Sequence, residues 1–283
     1  MFLPIQGEAG RLPLPLQRMP MMLTFPQISP EIFRIGPFAV HWYGMTYLLA
    51  FLAAWILGRR RAAKTRVFTA GQFGDVLTWG ICGVLVGARL GYVLFYNPGH
   101  YLANPLDVFK VWEGGMSFHG GFLGVLIAQG LAARRYGVGF FRTMDFMAPL
   151  VPTGIFCVRM GNFINAELWG RVTDAPWGMV FPGAGPEPRH PSQIYEALLE
   201  GVLLFVIVWV FSSKPRPTMA VSGVFALGYG AFRCFAEFFR QPDAHIGYLA
   251  FGFVTMGMVL CIPLILTGAV LLFLAYRKPA EPR

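Results

Sequence analysis

The sequence predicts an all-α, polytopic membrane protein with about seven transmembrane helices, and three observations carry that expectation. Of its 283 residues 55% are hydrophobic and 16% aromatic, while only 13% are charged, a balance too apolar for an ordinary soluble domain. Long apolar runs recur along the chain, most of them near the ~20 residues that a spanning helix takes. The Lys and Arg residues collect in short clusters beside those runs, as they do in loops that set topology. The formal net charge of +9 could suggest nucleic acid, but the basic residues form no continuous face, so no nucleic-acid partner is expected. Beside apolar runs such clusters can instead attract anionic lipid headgroups.

Residues 1–20 carry Arg11, Arg18 and four prolines without a continuous apolar core, which is not the pattern of a secretory signal peptide. Residues 1–21 are therefore expected to be a dispensable leader, or to precede a true start at Met21 or Met22. Residues 22–283 are expected to form one integral-membrane domain. Within them "MLTFPQISPEIFRIGPFAVHWYG" reads as an amphipathic lead-in to the first span. The spans are expected at about 41–58, 74–95, 117–133, 145–159, 193–211, 221–239 and 247–276. The fourth is short and holds Pro149 and Pro152, which predicts a kinked or broken helix whose freed backbone groups face protein or a water-filled cavity.

Orientation follows from the basic residues. Arg59, Arg60, Arg61, Lys64 and Arg66 follow the first span, Arg134, Arg135 and Arg142 join the third to the fourth, and Lys214 and Arg216 follow the fifth. With Arg277, Lys278 and Arg283 at the end of the chain, that side outweighs Arg34, Lys110, Arg171, Arg189 and Arg240 on the other. Cytoplasmic loops keep the excess, so the amino end is expected outside and the carboxyl end inside. The long connections 96–116 and 161–192 then fall outside. Their Trp112, Trp169, Trp177, Tyr96 and Tyr101 favour the headgroup level, which makes the connection between spans four and five an interfacial insertion. Cys82, Cys157, Cys234 and Cys261 form no C-x-x-C pair and are read as small buried hydrophobes.

In the second span Gly83, Gly87 and Gly91 recur every four residues, a spacing that lets another helix backbone approach closely. Arg89 in the same span is open to either a structural or a site role.

Three polar clusters stand where apolar packing has no use for them. In "VSGVFALGYGAFRCFAEFFRQPD" the residues Tyr229, Arg233, Glu237 and Arg240 are four, four and three apart, which puts them on one helical face. Charges within a span mark a pathway, an internal pair or a ligand site, so an Arg233–Glu237 pair holding helices together is the plain alternative to a site. "VRMGNFINAELWGR" sets Arg159, Asn162, Asn165, Glu167 and Arg171 within thirteen residues. Arginine offers a planar charged fork suited to phosphate oxygens, and ion pairing with Glu167 or Glu237 is the competing use. "EGGMSFHGGFLG" brings His119 to the external start of the third span among glycines. Histidine titrates near neutrality and can accept a proton, although a lone histidine at a helix end is commonly just interfacial. His41 and Tyr43 in "HWYG" and His190, Gln193 and Tyr195 in "RHPSQIYE" also fall near external span ends, where Trp42 and Tyr43 suit an aromatic belt. No Ser-His-Asp order, H-E-x-x-H motif, P-loop or dinucleotide fingerprint is present.

Taken together, "HWYG", "GGMSFHGG", "RMGNFINAELWGR", "RHPSQIYEA" and "FRCFAEFFRQPD" resemble the bacterial prolipoprotein diacylglyceryl transferases in order, spacing and position relative to the spans, from about Thr24 to the last helix. Two positions depart from the family pattern: Val158 stands where glycine usually precedes the signature arginine, and Ala166 where glycine often separates the asparagine from the glutamate. The resemblance implies a bacterial inner-membrane transferase with a periplasmic amino end and a cytoplasmic carboxyl end. It would move the diacylglyceryl group of phosphatidylglycerol to the sulfur of the lipobox cysteine in a prolipoprotein signal peptide, releasing glycerol phosphate. Carried over by motif position, Arg159 and Arg233 would hold the phosphate and His119 would lie beside the reacting centre. Tyr43, Asn162, Glu167, Gly170, Tyr229, Glu237 and Arg240 would complete or support the site, with phosphatidylglycerol contacts from Asn162, Gly170 and Arg240 as well. No metal and no cofactor is implied. A secondary transporter should show repeated halves and a midplane site, whereas no repeat is visible and the polar groups gather toward one face. An envelope scaffold has no need of histidine and arginine converging on one lipid site.

Overall fold

The computed structural model describes residues 23–242 and 247–277; the leader segment lies outside the described residues. Among these residues seven long helices form the body: α1 (Trp42–Thr65), α2 (Ala70–Phe95), α3 (Phe118–Arg135), α4 (Phe140–Ile164), α5 (Ser192–Phe211), α6 (Ala220–Glu237) and α7 (Met256–Arg277). Four of them, α2, α4, α5 and α7, are long and apolar enough to cross a membrane. The other three fall where the sequence places spans one, three and six, and α6 owes its lower hydropathy to the charges of its site. Ile262, Leu266, Val270 and Phe273 of α7 stand exposed, an apolar outer face that lipid rather than water accommodates.

The helix ends follow from local chemistry. α2 begins four residues before the expected start because Thr69 and Gln72 form a reciprocal capping box, with Gln72 N–H donating to Thr69 Oγ1 at 3.2 Å and Thr69 N–H to Gln72 Oε1 at 2.9 Å. α1 runs past the apolar segment to Thr65, because its last turns pack inward through Ala62 while Arg59 and Arg60 stay exposed. In α4 the expected break is found: a short 3₁₀ turn, Ala148–Leu150, holds Pro149. α6 begins at the carboxylate of Asp145 on α4, which accepts from Met219 N–H at 2.7 Å and Ser222 N–H at 2.8 Å and so satisfies the free donors of that helix start. The seventh helix starts at Met256 rather than near 247, after a run of turns.

The all-α expectation is corrected in one respect. Two small two-stranded sheets flank the helices: β2 (Glu31–Ile35) pairs antiparallel with β3 (Phe38–His41), and β1 (Leu23–Thr24) pairs parallel with β4 (Met179–Val180) of the insertion. In the hairpin Gly36 takes a φ of +58°, the left-handed position that a two-residue loop demands. The amphipathic lead-in is thus a β-hairpin, whose alternation is easily lost beside the stronger helical signal that follows.

Helices pair as α2 with α3, α6 with α7 and α1 with α4. The α2–α3 contact is made by glycine on both sides. A Cβ at Gly83 would lie 2.7 Å from that of Ala128, and one at Gly91 2.7 Å from the Gly120 Cα. The four-residue glycine spacing is therefore helix packing. A buried cluster of Phe68, Phe73, Phe146 and Leu150 closes the end of the bundle near Arg61. At the other end Phe25, Phe163 and Phe181 tie the insertion to α4.

Arg89 has a structural role. Buried in α2, it donates to the carbonyls of Asp107 and Gly114 at 2.6 Å, of Val108 at 2.8 Å, and of Lys110 and Gly115 at 3.1 Å. It thereby shapes the connection that leads into His119.

Candidate functional site

The site is built where α4, α5 and α6 converge beneath the insertion. Its foundation is a pair of carboxylates on α5, Glu196 and Glu200, which are 1% and 0% accessible. Two features put them there. Residues Ala197–Leu203 form a π-helical stretch, a local widening often found at functional positions. Gly201 faces the Phe156 backbone of α4, and a Cβ at Gly201 would come within 2.9 Å of the Phe156 Cα. The close approach sets Glu200 near Arg159, three residues further along α4.

Three arginines face these carboxylates. Arg159 Nε lies 2.7 Å from Glu196 and its Nη2 3.6 Å from Glu200. Arg233 Nη1 lies 2.8 Å from Glu196 and 3.8 Å from Glu200, while its Nη2 bonds Glu237 one turn along α6. Arg240 Nη1 lies 3.6 Å from Glu196 and its Nε 3.8 Å from Glu237. Glu237 also accepts from Thr255 Oγ1 at 2.6 Å. Three guanidinium and three carboxyl groups thus meet, and such pairing is the condition on which charges persist out of water. Their exposure is unequal: Arg159 and Arg233 keep 16% and 15% of their side chains accessible, against almost nothing for the glutamates. Anything entering the site meets guanidinium, not carboxylate.

Around this cluster Tyr229 lies in electrostatic reach of Glu200, Arg233 and Arg159, its ring stacked on Phe225. Asn162, buried at the end of α4, donates to Glu167 Oε1 at 2.7 Å, so Glu167 serves Asn162 and Arg159 turns to α5. Gln193 in turn donates to the Glu167 carbonyl at 2.6 Å. Between Asn162 and Glu167 the chain turns through Ala166 at a φ of +52°, with Leu168 at +58°. These left-handed conformations strain a residue bearing a Cβ, a strain that glycine at the position of Ala166 would not meet.

Gly170 sits where no side chain fits, because a Cβ there would lie 2.5 Å from the Phe239 carbonyl oxygen and 2.6 Å from that of His190. Next to it Arg171 donates to the carbonyls of Arg240 at 3.0 Å and Glu237 at 3.2 Å, clamping the end of α6 under the insertion. His190 lies beside this strap, bonded through Nδ1 to the Tyr195 hydroxyl at 3.0 Å; burial and then the charge of Arg171 hold its pKa below the ordinary histidine value. Tyr43 opens α1, with its hydroxyl 3.4 Å from that of Tyr47. Its ring lies against α4 at Gly161, two residues from Arg159.

His119 is not joined to the cluster. It begins α3 just after Ser117, which caps the helix by accepting from Gly120 N–H at 3.3 Å, and its exposed ring meets that of Phe118 at 5.7 Å. Every arginine of the cluster, together with Glu237, stands out in the sequence, but Glu196 and Glu200 do not. Both carboxylates were legible as acids four residues apart inside the fifth apolar span, the kind of intramembrane charge that requires a partner.

Residues 30–274 match the prolipoprotein diacylglyceryl transferase family. The chain is 59% identical over 261 residues to the phosphatidylglycerol–prolipoprotein diacylglyceryl transferase of Oleidesulfovibrio alaskensis, covering 92% of this chain and 98% of that protein. It is 56% identical over 260 residues to the enzyme of that name from Pseudomonas aeruginosa strain PAO1, with the same coverage. Against that of Nitratidesulfovibrio vulgaris strain Hildenborough it is 57% identical over 252 residues, covering 89% of this chain and 96% of the relative.

Proposed function

The chain belongs to the prolipoprotein diacylglyceryl transferase family, and from that premise we propose that it transfers the diacylglyceryl group of phosphatidylglycerol to a prolipoprotein, at the thiol of the lipobox cysteine in its signal peptide. The cysteine sulfur forms a bond to the glycerol carbon that bears the phosphate, the carbon–oxygen bond breaks, and glycerol phosphate leaves. The thiol proton passes to a base and then to solvent. A thiol with a reference pKa near ~8.5 is only a few per cent thiolate at neutral pH, so a positioned base raises the reactive fraction.

The observation that carries this reading is the pair of accessible guanidinium groups, Arg159 and Arg233, held from two helices over one buried carboxylate. The glutamates fix the forks before substrate arrives, so little side-chain entropy is lost on binding. Negative charge grows on the phosphate oxygen as the bond breaks, and preorganised donors act on that developing charge. In this reading Arg240, Asn162 and Gly170 complete the phosphatidylglycerol site, and Tyr43, Glu167, Tyr229 and Glu237 support the catalytic groups. His119 is the base. Its ring makes no hydrogen bond among the described residues, which leaves a nitrogen available for the thiol proton.

In the same reading residues 22–283 act as one domain that spans the bacterial inner membrane seven times, with the amino end periplasmic and the carboxyl end cytoplasmic. Its support is the basic excess at the end of α1, at the end of α3 and start of α4, and in the α5–α6 connection. The deciding assay incubates the purified protein with phosphatidylglycerol and a lipobox peptide. A peptide mass raised by one diacylglyceryl thioether, with glycerol phosphate released, is expected; an unmodified peptide would overturn the assignment.

A further inference from the structure

At the end of the bundle away from the arginine–glutamate cluster lies a cavity of about 1420 Å³. Its residues Arg61, Arg142, Ser212 and Met219 stand 14 to 18 positions from Tyr43, Arg159, Glu196 and Arg233 along the courses of α1, α4, α5 and α6, or about 21–27 Å at the helical rise. Among the described residues six cations line it, Arg60, Arg61, Lys64, Arg142, Lys214 and Arg216, and no acidic residue does. Topology accounts for basic residues near each helix end separately, but it does not require the end of α1, the start of α4 and the α5–α6 connection to deliver them to one cavity.

Two of the six are engaged locally. Arg61 donates to the carbonyls of Phe146 and Asp145 and to Ser212 Oγ, and Arg216 to the Phe211 carbonyl. Arg60, Lys64, Arg142 and Lys214 are exposed and have no hydrogen bond or ion pair among the described residues. The rest of the wall includes Phe140, Phe141, Trp209 and Leu274. Four uncommitted cations beside an aromatic and aliphatic wall make an amphipathic receptor.

We propose that this cavity is a second lipid site, taking the phosphate-bearing headgroup of an anionic phospholipid with its glycerol and first acyl carbons against the apolar wall. Free phosphate shares the charge but has nothing to place there. The cations contribute the headgroup attraction, each by charge near the membrane surface, and Arg60 and Arg142 add forks that match phosphate oxygens.

The test places the full-length protein in phosphatidylcholine nanodiscs carrying a photoactivatable short-chain phosphatidic acid and maps the crosslinks. Labelling within residues 212–219 or 139–142 is expected. It should survive a ~100-fold excess of inorganic phosphate and fall about tenfold or more in an Arg60→Gln, Lys64→Gln, Arg142→Gln, Lys214→Gln variant. Transfer to the lipobox peptide in that variant should remain parent-like, since none of the four belongs to the transfer site. Absence of crosslinks from those segments in the parent overturns the proposal without any variant. Erasure by inorganic phosphate overturns the lipid as occupant, and label undiminished in the variant overturns the cations as its basis. A failure of peptide transfer in the parent would strike the transferase reading alone.

Discussion

Arg233 of α6 bonds Glu196 of α5 at 2.8 Å while its other terminal nitrogen reaches Glu237 one turn along its own helix. Of the two uses open to this arginine in the sequence, a pair with Glu237 and a phosphate fork, the structure therefore holds the pair and adds a second carboxylate from another helix.

That arrangement sharpens the test by lysine. Arg233→Lys keeps the charge but offers one ammonium where two carboxylates and a phosphate call for a planar fork. Transfer should fall by ~10²–10³, the usual consequence of losing a donor to a developing anion, and adding Glu237→Gln should not restore it. Arg233→Ala should in addition destabilise the protein by about 3–5 kcal/mol, because Glu196 and Glu237 are left buried with one partner fewer. Thermal denaturation in detergent separates the two effects. Parent-like transfer by the lysine variant would reject the fork.

Topology is tested by cysteine accessibility. With the basic connections inside, a cysteine at Gly183 in the insertion should be labelled by an impermeant reagent from the periplasmic side and one at Lys64 only after permeabilisation. The opposite pattern would invert both the transfer site and the basic cavity.

The α2–α3 pair predicts a packing defect of known sign. Gly87 faces the Gly120 carbonyl and the Gly124 backbone with no room for a Cβ, so Gly87→Val must push the helices apart. A loss of about 1–3 kcal/mol is expected from overpacking. Gly74, where a Cβ would meet nothing within 4 Å, should accept alanine without loss. Equal stability of the two variants would mean that the helices are not in contact.

Much of this architecture was legible because hydropathy and charge act locally. Among the described residues seven long helices fall where the sequence places spans, four of them long and apolar enough to cross a membrane, and Pro149 marks the break in α4. Two kinds of feature escaped. The β2–β3 hairpin and the β1–β4 pair are short, and β1 finds its partner more than 150 residues away, so no local period announces it. At the site, Arg159, Arg233 and Arg240 stood out because each lies in or beside an apolar segment. Which carboxylates face them depends on the π-helical turn and the Gly201 contact, and these are set by packing between helices rather than by any one segment.

His190 predicts a pH dependence of stability. Burial, and then Arg171, holds its folded pKa below the ordinary value, so between those two values the unfolded chain takes up a proton that the folded chain does not. Stability should therefore be full above the unfolded value near ~6.5 and decline as pH falls through it toward the folded value. His190→Gln should flatten that part of the curve in melts between about pH 7 and pH 5. An unchanged slope would assign the decline to other groups.

The proposed base is tested by removing its proton affinity without its shape. His119 stands at the start of α3, next to a cap made by Ser117 and a connection shaped by Arg89, so its backbone is held while its ring is exposed. His119→Gln keeps a hydrogen-bonding group of similar reach, leaves the cap intact and touches none of the ion pairs on α5 and α6. If the ring takes the thiol proton, turnover should fall by ~10²–10⁴, the range for a lost general base, with phosphatidylglycerol binding unchanged. The loss should shrink as pH rises toward the thiol's own pKa, because solvent then supplies the thiolate that the histidine no longer makes. A spacer or a simple hydrogen-bond donor at this position would give a loss independent of pH. Near-parent turnover across neutral pH would pass the proton to another group or to water, leaving the guanidinium pair as the main source of rate.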